Sequence, residues 1–201
     1  MPRRKLRTPE LRDRVLQTAV AMLADGGPAE FTTRKVATGA QTSIPAVYEL
    51  FGDKAGLVRE IFFEGFRQLR ARLDRLGDTG DARADLMRLI GAIRSFVRAN
   101  PALAQVMFGR PFADFDPSAA DLDEGAAVRS FIVRRVRRCI DAGLIAGDEV
   151  DISHVLLAIA QGLLAQEAAG WLGRSRASVN RRWALAFDAA LAGLAPAARR
   201  P

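Results

Sequence analysis

The sequence predicts an all-α protein, a three-helix head followed by a longer helical body. Three observations carry that reading. Apolar residues recur every three or four positions along nearly the whole chain. The breaks fall on helix-stopping clusters: Asp25-Gly26-Gly27-Pro28, Gly77–Asp81 and Asn100-Pro101. No segment shows the two-residue alternation of a half-buried strand, and there is no internal repeat or low-complexity block.

Residues 1–8, MPRRKLRT, form a basic arm. Arg3, Arg4, Lys5 and Arg7 suit phosphate tracking or entry into a minor groove, and equally suit a solvated tail. Leu11, Val15, Ala19 and Met22–Leu23 then mark an amphipathic helix that ends at Asp25-Gly26-Gly27-Pro28.

Residues 31–54 read FTTRKVATGAQTSIPAVYELFGDK. This is two short helices joined by a tight turn. Thr32 can cap the first, whose apolar face is Val36, Ala37 and Ala40. Ala40-Gln41-Thr42 is the turn. Ser43 can cap the second helix, and Pro45 sits in its first turn, where a missing N–H costs nothing. Val47, Tyr48 and Phe51 follow at helical spacing. A helix-turn-helix of this size is the unit that lays its second helix in the DNA major groove.

The charges agree. Arg34 and Lys35 occupy the first turn of one helix, and Lys54 follows Asp53, a candidate cap of the next. The helix dipole disfavours each such cation by about 0.3–1 kcal/mol. A phosphate at the same place relieves that penalty. Each residue alone also fits a solvated charge; three in one motif favour phosphate contact.

This segment resembles the DNA-binding domain of the tetracycline-repressor (TetR) family of bacterial transcription regulators, whose pattern runs roughly T-x-R-x-I-A-x-x-A-G-V-S-x-x-x-L-Y-x-H-F-x-x-K. Thr32, Arg34, Val36, Ala37, Ala40, Ser43, Val47, Tyr48, Phe51 and Lys54 match it outright or conservatively. Gln41 replaces the turn glycine, Thr42 the following valine and Leu50 the usual histidine. Gln41 must then adopt a left-handed conformation that glycine takes without strain.

The resemblance covers about the first 65 residues. It implies a helix-turn-helix DNA-binding head over 9–54, with the motif at 32–51, and a helical effector-binding and dimerisation body over 55–201. The expected DNA-contacting set is Thr32, Thr33, Arg34, Lys35, Thr42, Ser43, Ile44, Pro45, Ala46, Tyr48, Glu49 and Lys54. Within it, residues 43–50 read bases, while Arg34, Lys35, Tyr48 and Lys54 hold the backbone.

The next helix runs from Ala55 to about Leu76 and carries Leu57, Ile61, Phe62, Phe66, Leu69 and Leu73 on one side. It is similar to the family's connecting helix. Arg83–Ala99 and Pro101–Phe108 follow, then a loop over 109–118 with Phe112 and Phe115. In the helix Ala119–Ala142, Arg134, Arg135, Arg137 and Arg138 alternate with Val133, Val136 and Ile140, which reads as a charged outer face around an apolar stripe. Asp148–Leu172 and Ser175–Leu194 complete the body.

The last two helices are apolar over much of their circumference and rich in small residues, as expected of elements buried on more than one side. The resemblance implies a homodimer joined through them. The expected interface is Leu156, Ile159, Leu163, Trp183, Phe187 and Leu191. It also implies a pocket for a small, mainly apolar effector. The candidate lining is Phe96, Leu103, Met107, Phe108, Phe112, Phe131 and Trp171.

Composition narrows the remaining options. The net charge of +7 over 201 residues is spread along the chain and is compatible with nucleic acid. Cys139 is the single cysteine and reads as a small buried hydrophobe; His154 is the single histidine and reads as a core or interface residue. Neither belongs to a metal-ligand or nucleophile constellation, so no enzyme, metal or cofactor is expected. The N-terminus lacks a signal-peptide apolar run and no stretch is long enough to span a membrane, which points to a cytoplasmic protein.

The expected function is a ligand-responsive regulator, most often a repressor in this family, that binds a palindromic operator in double-stranded DNA. Two alternatives stay open: an accessory DNA-binding protein with weak sequence preference, and a small-molecule-binding protein with a vestigial head.

Overall fold

The computed structural model describes residues 8–109, 112, 115 and 118–196, with the backbone alone over 120–124. Among the described residues there are nine helices and no strand. They are α1 (Pro9–Glu30), α2 (Thr33–Gly39), α3 (Ile44–Phe51), α4 (Lys54–Leu73), α5 (Ala82–Ala99), α6 (Pro101–Gly109), α7 (Ala119–Asp141), α8 (Glu149–Ala168) and α9 (Arg176–Gly193). The basic arm up to Arg7, the prolines Pro111 and Pro117 and the end of the C-terminal tail lie outside the described residues. The chain forms two compact units, one of Met1–Leu69 with Val97–Gly125, the other of Arg70–Phe96 with Ala126–Pro201.

In the first unit, Thr8 caps α1 by accepting from the Leu11 N–H at 3.3 Å. The regular run of α1 ends at Gly27, whose φ is 67°, and one further turn leads to Phe31. Val15, Leu16, Ala19 and Leu23 are buried, and α1 packs on α2 and α6. α2 and α3 have seven and eight residues, too few to hold as isolated helices in water. Their stability comes from caps and from burial of Val36, Ala37, Val47 and Phe51. α1 also reaches over both. The Arg14 Nε–H donates to the Ala40 carbonyl at 3.0 Å. The Arg12 guanidinium lies 5.3 Å from the Phe51 ring centroid while pairing with Glu60 at 2.6 Å. α4 buries Leu57, Val58, Ile61, Phe62, Phe66 and Leu69. It meets α6 at Gly65, where a Cβ would collide with the Met107 side chain.

The second unit buries Leu86, Leu89, Ile90, Ile93 and Phe96 of α5, Val128, Phe131, Ile132, Val136 and Cys139 of α7, Ile152 and Leu156 of α8, and Trp183, Phe187 and Leu191 of α9. Asp148 and Ser175 cap α8 and α9. Cys139 is the buried small hydrophobe expected; burial pushes its thiol pKa up, which keeps it protonated and unreactive.

The arginine run of α7 departs from the expected solvated face. Arg135 is 1% exposed, and its guanidinium donates to the Leu76 carbonyl at 3.0 Å and pairs with Asp78 at 3.2 Å. Arg138 pairs with Asp85 at 2.7 Å and donates to the Thr79 carbonyl at 2.7 Å. Asp85, itself 1% exposed, also accepts from the Thr79 N–H (2.8 Å) and hydroxyl (2.9 Å). These partners lie over 50 residues upstream of the arginines, where helical periodicity carries no information. Burial alone raises the Asp85 pKa, but the Thr79 and Arg138 hydrogen bonds win and hold it at about 2. This network pins the segment after α4 onto α5 and α7.

A second lock joins α5, α8 and α9. Arg94 binds Glu167 through two bonds, at 2.8 and 2.9 Å, and its guanidinium stacks 4.6 Å from the Trp183 ring centroid. The Trp183 indole N–H donates to the same carboxylate at 2.8 Å. Bidentate geometry with both partners largely shielded makes this pair stronger than an exposed one.

Candidate nucleic-acid interface

The α2–turn–α3 geometry follows from three local devices. Thr32 caps α2, accepting from the Lys35 N–H at 3.2 Å. Ser43 caps α3, accepting from the Ala46 N–H at 3.3 Å. Between them Gln41 has φ 52°, the one non-glycine residue at positive φ among the described residues. The Gln41 N–H donates to Thr38 O at 3.1 Å and the Thr42 N–H to Ala37 O at 2.9 Å, the paired bonds of a Schellman end. The left-handed conformation that the glutamine replacement demands is therefore present, at a cost of about 1 kcal/mol relative to glycine. α3 ends at Gly52, φ 81°, whose N–H returns to Tyr48 O at 2.7 Å.

These devices fix which residues look outward. Pro45, Tyr48 and Glu49 are exposed on one face of α3, with Tyr48 45% exposed. Thr42, Ser43, Ile44 and Leu50 are half-buried. Thr32, Arg34, Lys35, Thr38, Gly39 and Gln41 are exposed on and beside α2. Lys35 pairs with Glu30, and the bond holds the Glu30 pKa below the usual carboxylate range. Lys54 is half-buried at the start of α4, just past Asp53, whose carboxylate caps that helix by accepting from the Gly56 N–H at 2.7 Å.

Two members of the expected contact set turn inward. Thr33 is 8% exposed and Ala46 is 9% exposed. Both sit on the inner side of their helices, because the α1-facing stripe is set by Val36, Ala37 and Val47 and takes the neighbouring positions with it. The α3 side chains left reachable are Pro45, Tyr48 and Glu49, flanked by Thr42, Ser43 and Ile44, with Ala46 turned inward.

The residues expected to line a ligand pocket fall as follows. In the first unit Leu103, Met107 and Phe112 are buried, and Phe108 is 41% exposed with its ring 6.1 Å from Phe66. In the second unit Phe96 and Phe131 are buried and Trp171 is 77% exposed. A groove in the first unit of about 320 Å³, lined by Asp13, Leu16, Gln17, Val20, Ala21, Glu64 and Gln68, contains none of them.

The expected dimer stripe is rotated. Leu156, Trp183, Phe187 and Leu191 are buried within their own unit, and Ile159 and Leu163 are half-buried. The faces of α8 and α9 that remain exposed carry Val155 (50%), Ala158, Gly162, Ala165 and Leu185 (69%), with His154 among them. Both helices are apolar or small over much of their circumference, so periodicity alone could not say which side the chain's own core would take. Among the described residues no group of His, Cys, Asp or Glu is placed to hold a metal ion, and no helix is long and apolar enough to cross a membrane.

Comparison with known proteins places this geometry. Residues 15–61 match the family model for bacterial regulatory proteins of the tetR family. Residues 86–190, more than half of the chain, match the model for a tetracyclin repressor-like C-terminal domain. A solved protein of unknown function from Rhodococcus sp. RHA1 is 29% identical, with a TM-score of 0.80 over 96% of this chain and 100% of that one. A bacterial regulatory protein of the tetR family from Rhodococcus RHA1 has 19% identity and a TM-score of 0.71 over 95% of this chain and 100% of its own. The TetR family transcriptional regulator PfmR from Thermus thermophilus shares the fold at 19% identity, with a TM-score of 0.68 over 92% of this chain and 100% of that one. No curated protein matches the sequence.

Proposed function

The chain belongs to the tetracycline-repressor (TetR) family of DNA-binding transcription regulators, and from that premise we propose that it is a ligand-responsive repressor acting as a homodimer on a palindromic operator. The supporting observation is the exposed face of α3. Pro45, Tyr48 and Glu49 stand clear of the core on a helix capped at one end by Ser43 and stopped at the other by Gly52. Arg34 and Lys35 stand exposed in the first turn of α2 beside it. On this reading Pro45 and Glu49, with Thr42, Ser43 and Ile44, read base edges in the major groove. Arg34, Lys35, Tyr48 and Lys54 hold phosphates on either side.

Gly162 supports dimerisation. A mid-helix glycine costs about 1 kcal/mol relative to alanine. A Cβ there would meet nothing within 4 Å in its own chain. A small residue on that exposed face lets a second copy approach closely, and on this reading Ala158, Gly162, Ala165 and Leu185 seat against their counterparts. His154 joins that surface as an interface histidine. Residues 9–54 are assigned to DNA binding and 55–201 to effector recognition and dimerisation. The effector is a small, mainly apolar molecule whose binding changes the separation of the two heads and loses the match to half-sites about 34–36 Å apart.

The test is a titration of labelled duplexes, one carrying a selected site and one its scrambled version, at two salt concentrations. The expected result is a preference of at least ~10³-fold for the site at near-physiological salt. Equal affinities with a steep salt dependence would move the reading to an accessory DNA-binding protein.

A further inference from the structure

Phe112 lies far from the helix-turn-helix in sequence, yet it is placed at its base. Its ring is 8% exposed and meets Phe31 edge-on, with centroids 5.4 Å apart. Phe31 immediately precedes Thr32, the cap of α2. The same ring faces the Lys54 ammonium, whose Nζ lies 5.5 Å from its centroid. Phe112 therefore touches the two points where chain enters α2 and α4.

Lys54 needs such a partner. It begins α4, where the helix dipole repels a cation. The adjacent Asp53 carboxylate is engaged with the Gly56 N–H. Among the described residues no carboxylate pairs with Lys54, so the Phe112 ring is the group that steadies its ammonium. A four-carbon stem with a strongly hydrated head otherwise spreads over many rotamers. The face of an aromatic ring attracts the ammonium without neutralising it, so the charge stays available to an anion.

We propose that Phe112 is a positioning residue for DNA binding, holding Lys54 in the geometry that meets a backbone phosphate. The inference rests on the assignment of Lys54 as a phosphate contact. It extends the DNA-binding apparatus to a residue well beyond the head as the sequence delimits it. The control is built into the chain. Phe115 is similarly buried (5%) and packs its ring 5.7 Å from that of Phe62, with no cation over it among the described residues. A purely structural role for Phe112 leaves the Lys54 contribution to the salt dependence unchanged, as replacement of Phe115 does.

The experiment measures affinity for a selected duplex as a function of salt, for full-length Phe112→Met, Phe115→Met, Lys54→Met, the Lys54→Met/Phe112→Met double variant, and Phe112→Tyr. Each Lys54 that leaves its phosphate lowers the slope of log K against log salt by about 0.9. The expected result is that Phe112→Met weakens binding about 3–10-fold, alike for all sequences, and lowers the slope as Lys54→Met does. The double variant then matches Lys54→Met alone, Phe112→Tyr keeps the wild-type slope, and Phe115→Met changes melting temperature but not slope. A wild-type slope in Phe112→Met beside a lowered slope in Lys54→Met overturns the positioning role and leaves the phosphate contact standing. An unchanged slope in Lys54→Met removes the phosphate contact and the inference with it. Should Phe112→Met unfold, the ring-current shift of the Lys54 side-chain protons in free Phe112→Tyr and wild-type protein decides. Shifts near random-coil values in both would show that the ring does not hold the ammonium.

Discussion

The α2–α3 region and the second unit distribute polarity in opposite ways. Around α3 the polar and charged side chains face outward: Arg34, Lys35, Tyr48 and Glu49 are exposed. In the second unit several charged groups are drawn inside and paired there, with Asp85, Arg135, Arg138 and the Arg94–Glu167–Trp183 set fully or largely shielded. Beside its exposed charges, that unit also leaves exposed a set of apolar and small residues on α8 and α9: Val155, Ala158, Gly162 and Leu185. A surface of hydrogen-bond donors suits a polyanion; a surface of small apolar residues suits a closely packed copy of itself. The proposed function gives each region a different partner, and the contrast is what supports that division.

Five substitutions sharpen or break that contrast. The largest effect is expected from Ala158→Arg, which puts an unpaired charge into the exposed apolar face. Sedimentation should show a monomer, and operator affinity should fall on the order of 10²–10⁴-fold, since the two heads no longer bind as one body. A dimer with unchanged affinity would separate that face from assembly.

Asp85→Asn tests the interior charge of the second unit. The folded pKa of about 2 lies below the ordinary aspartate value of 3.8. The ionised carboxylate is therefore stabilising above pH 3.8, and this contribution is lost as pH falls towards 2. Asp85→Asn should lower the melting temperature at neutral pH, with a smaller deficit at about pH 2.5, and should couple non-additively with Arg138→Met. A deficit independent of pH would place the effect in packing rather than in charge.

On the head, Tyr48→Phe should weaken binding to all sequences alike by about fivefold, the worth of one hydrogen bond. Pro45→Ala should shift which sequence is preferred. A change of preference in Tyr48→Phe would reassign Tyr48 to base reading. The smallest effect is Gln41→Gly, which relieves the left-handed strain but frees the unfolded chain. A net gain of at most about 0.5 kcal/mol in denaturant unfolding is expected.

The same contrast explains what was legible in the sequence. The head is written locally. Thr32, Ser43, Pro45 and the turn at Gln41 act on backbone three or four residues away, so caps, turn and helix limits could be read from their neighbours. Thr33 and Ala46 were misplaced only because a helix of seven or eight residues leaves the inner and outer faces one position apart. In the second unit the helices and their approximate ends were legible from period and caps. The partners were not: Arg138 meets Asp85 and Trp183 meets Glu167 across other helices, and no spacing rule links them. Which side of α8 and α9 the core takes was hidden for a related reason: apolar and small residues cover much of each helix, and only packing within the unit decides which of them remain outside. Phe112 stood out in sequence as an aromatic in a loop, but its neighbours Phe31 and Lys54 could be identified only in three dimensions.

The most direct test of the central assignment is selection of bound duplexes from a random pool by the purified full-length protein at near-physiological salt. The expected result is a palindromic motif with fixed half-site spacing, changed in sequence in Pro45→Ala and retained, at lower affinity, in Tyr48→Phe. Recovery of duplexes with no enriched motif would contradict it, and would mean that the exposed face of α3 meets phosphate without reading sequence.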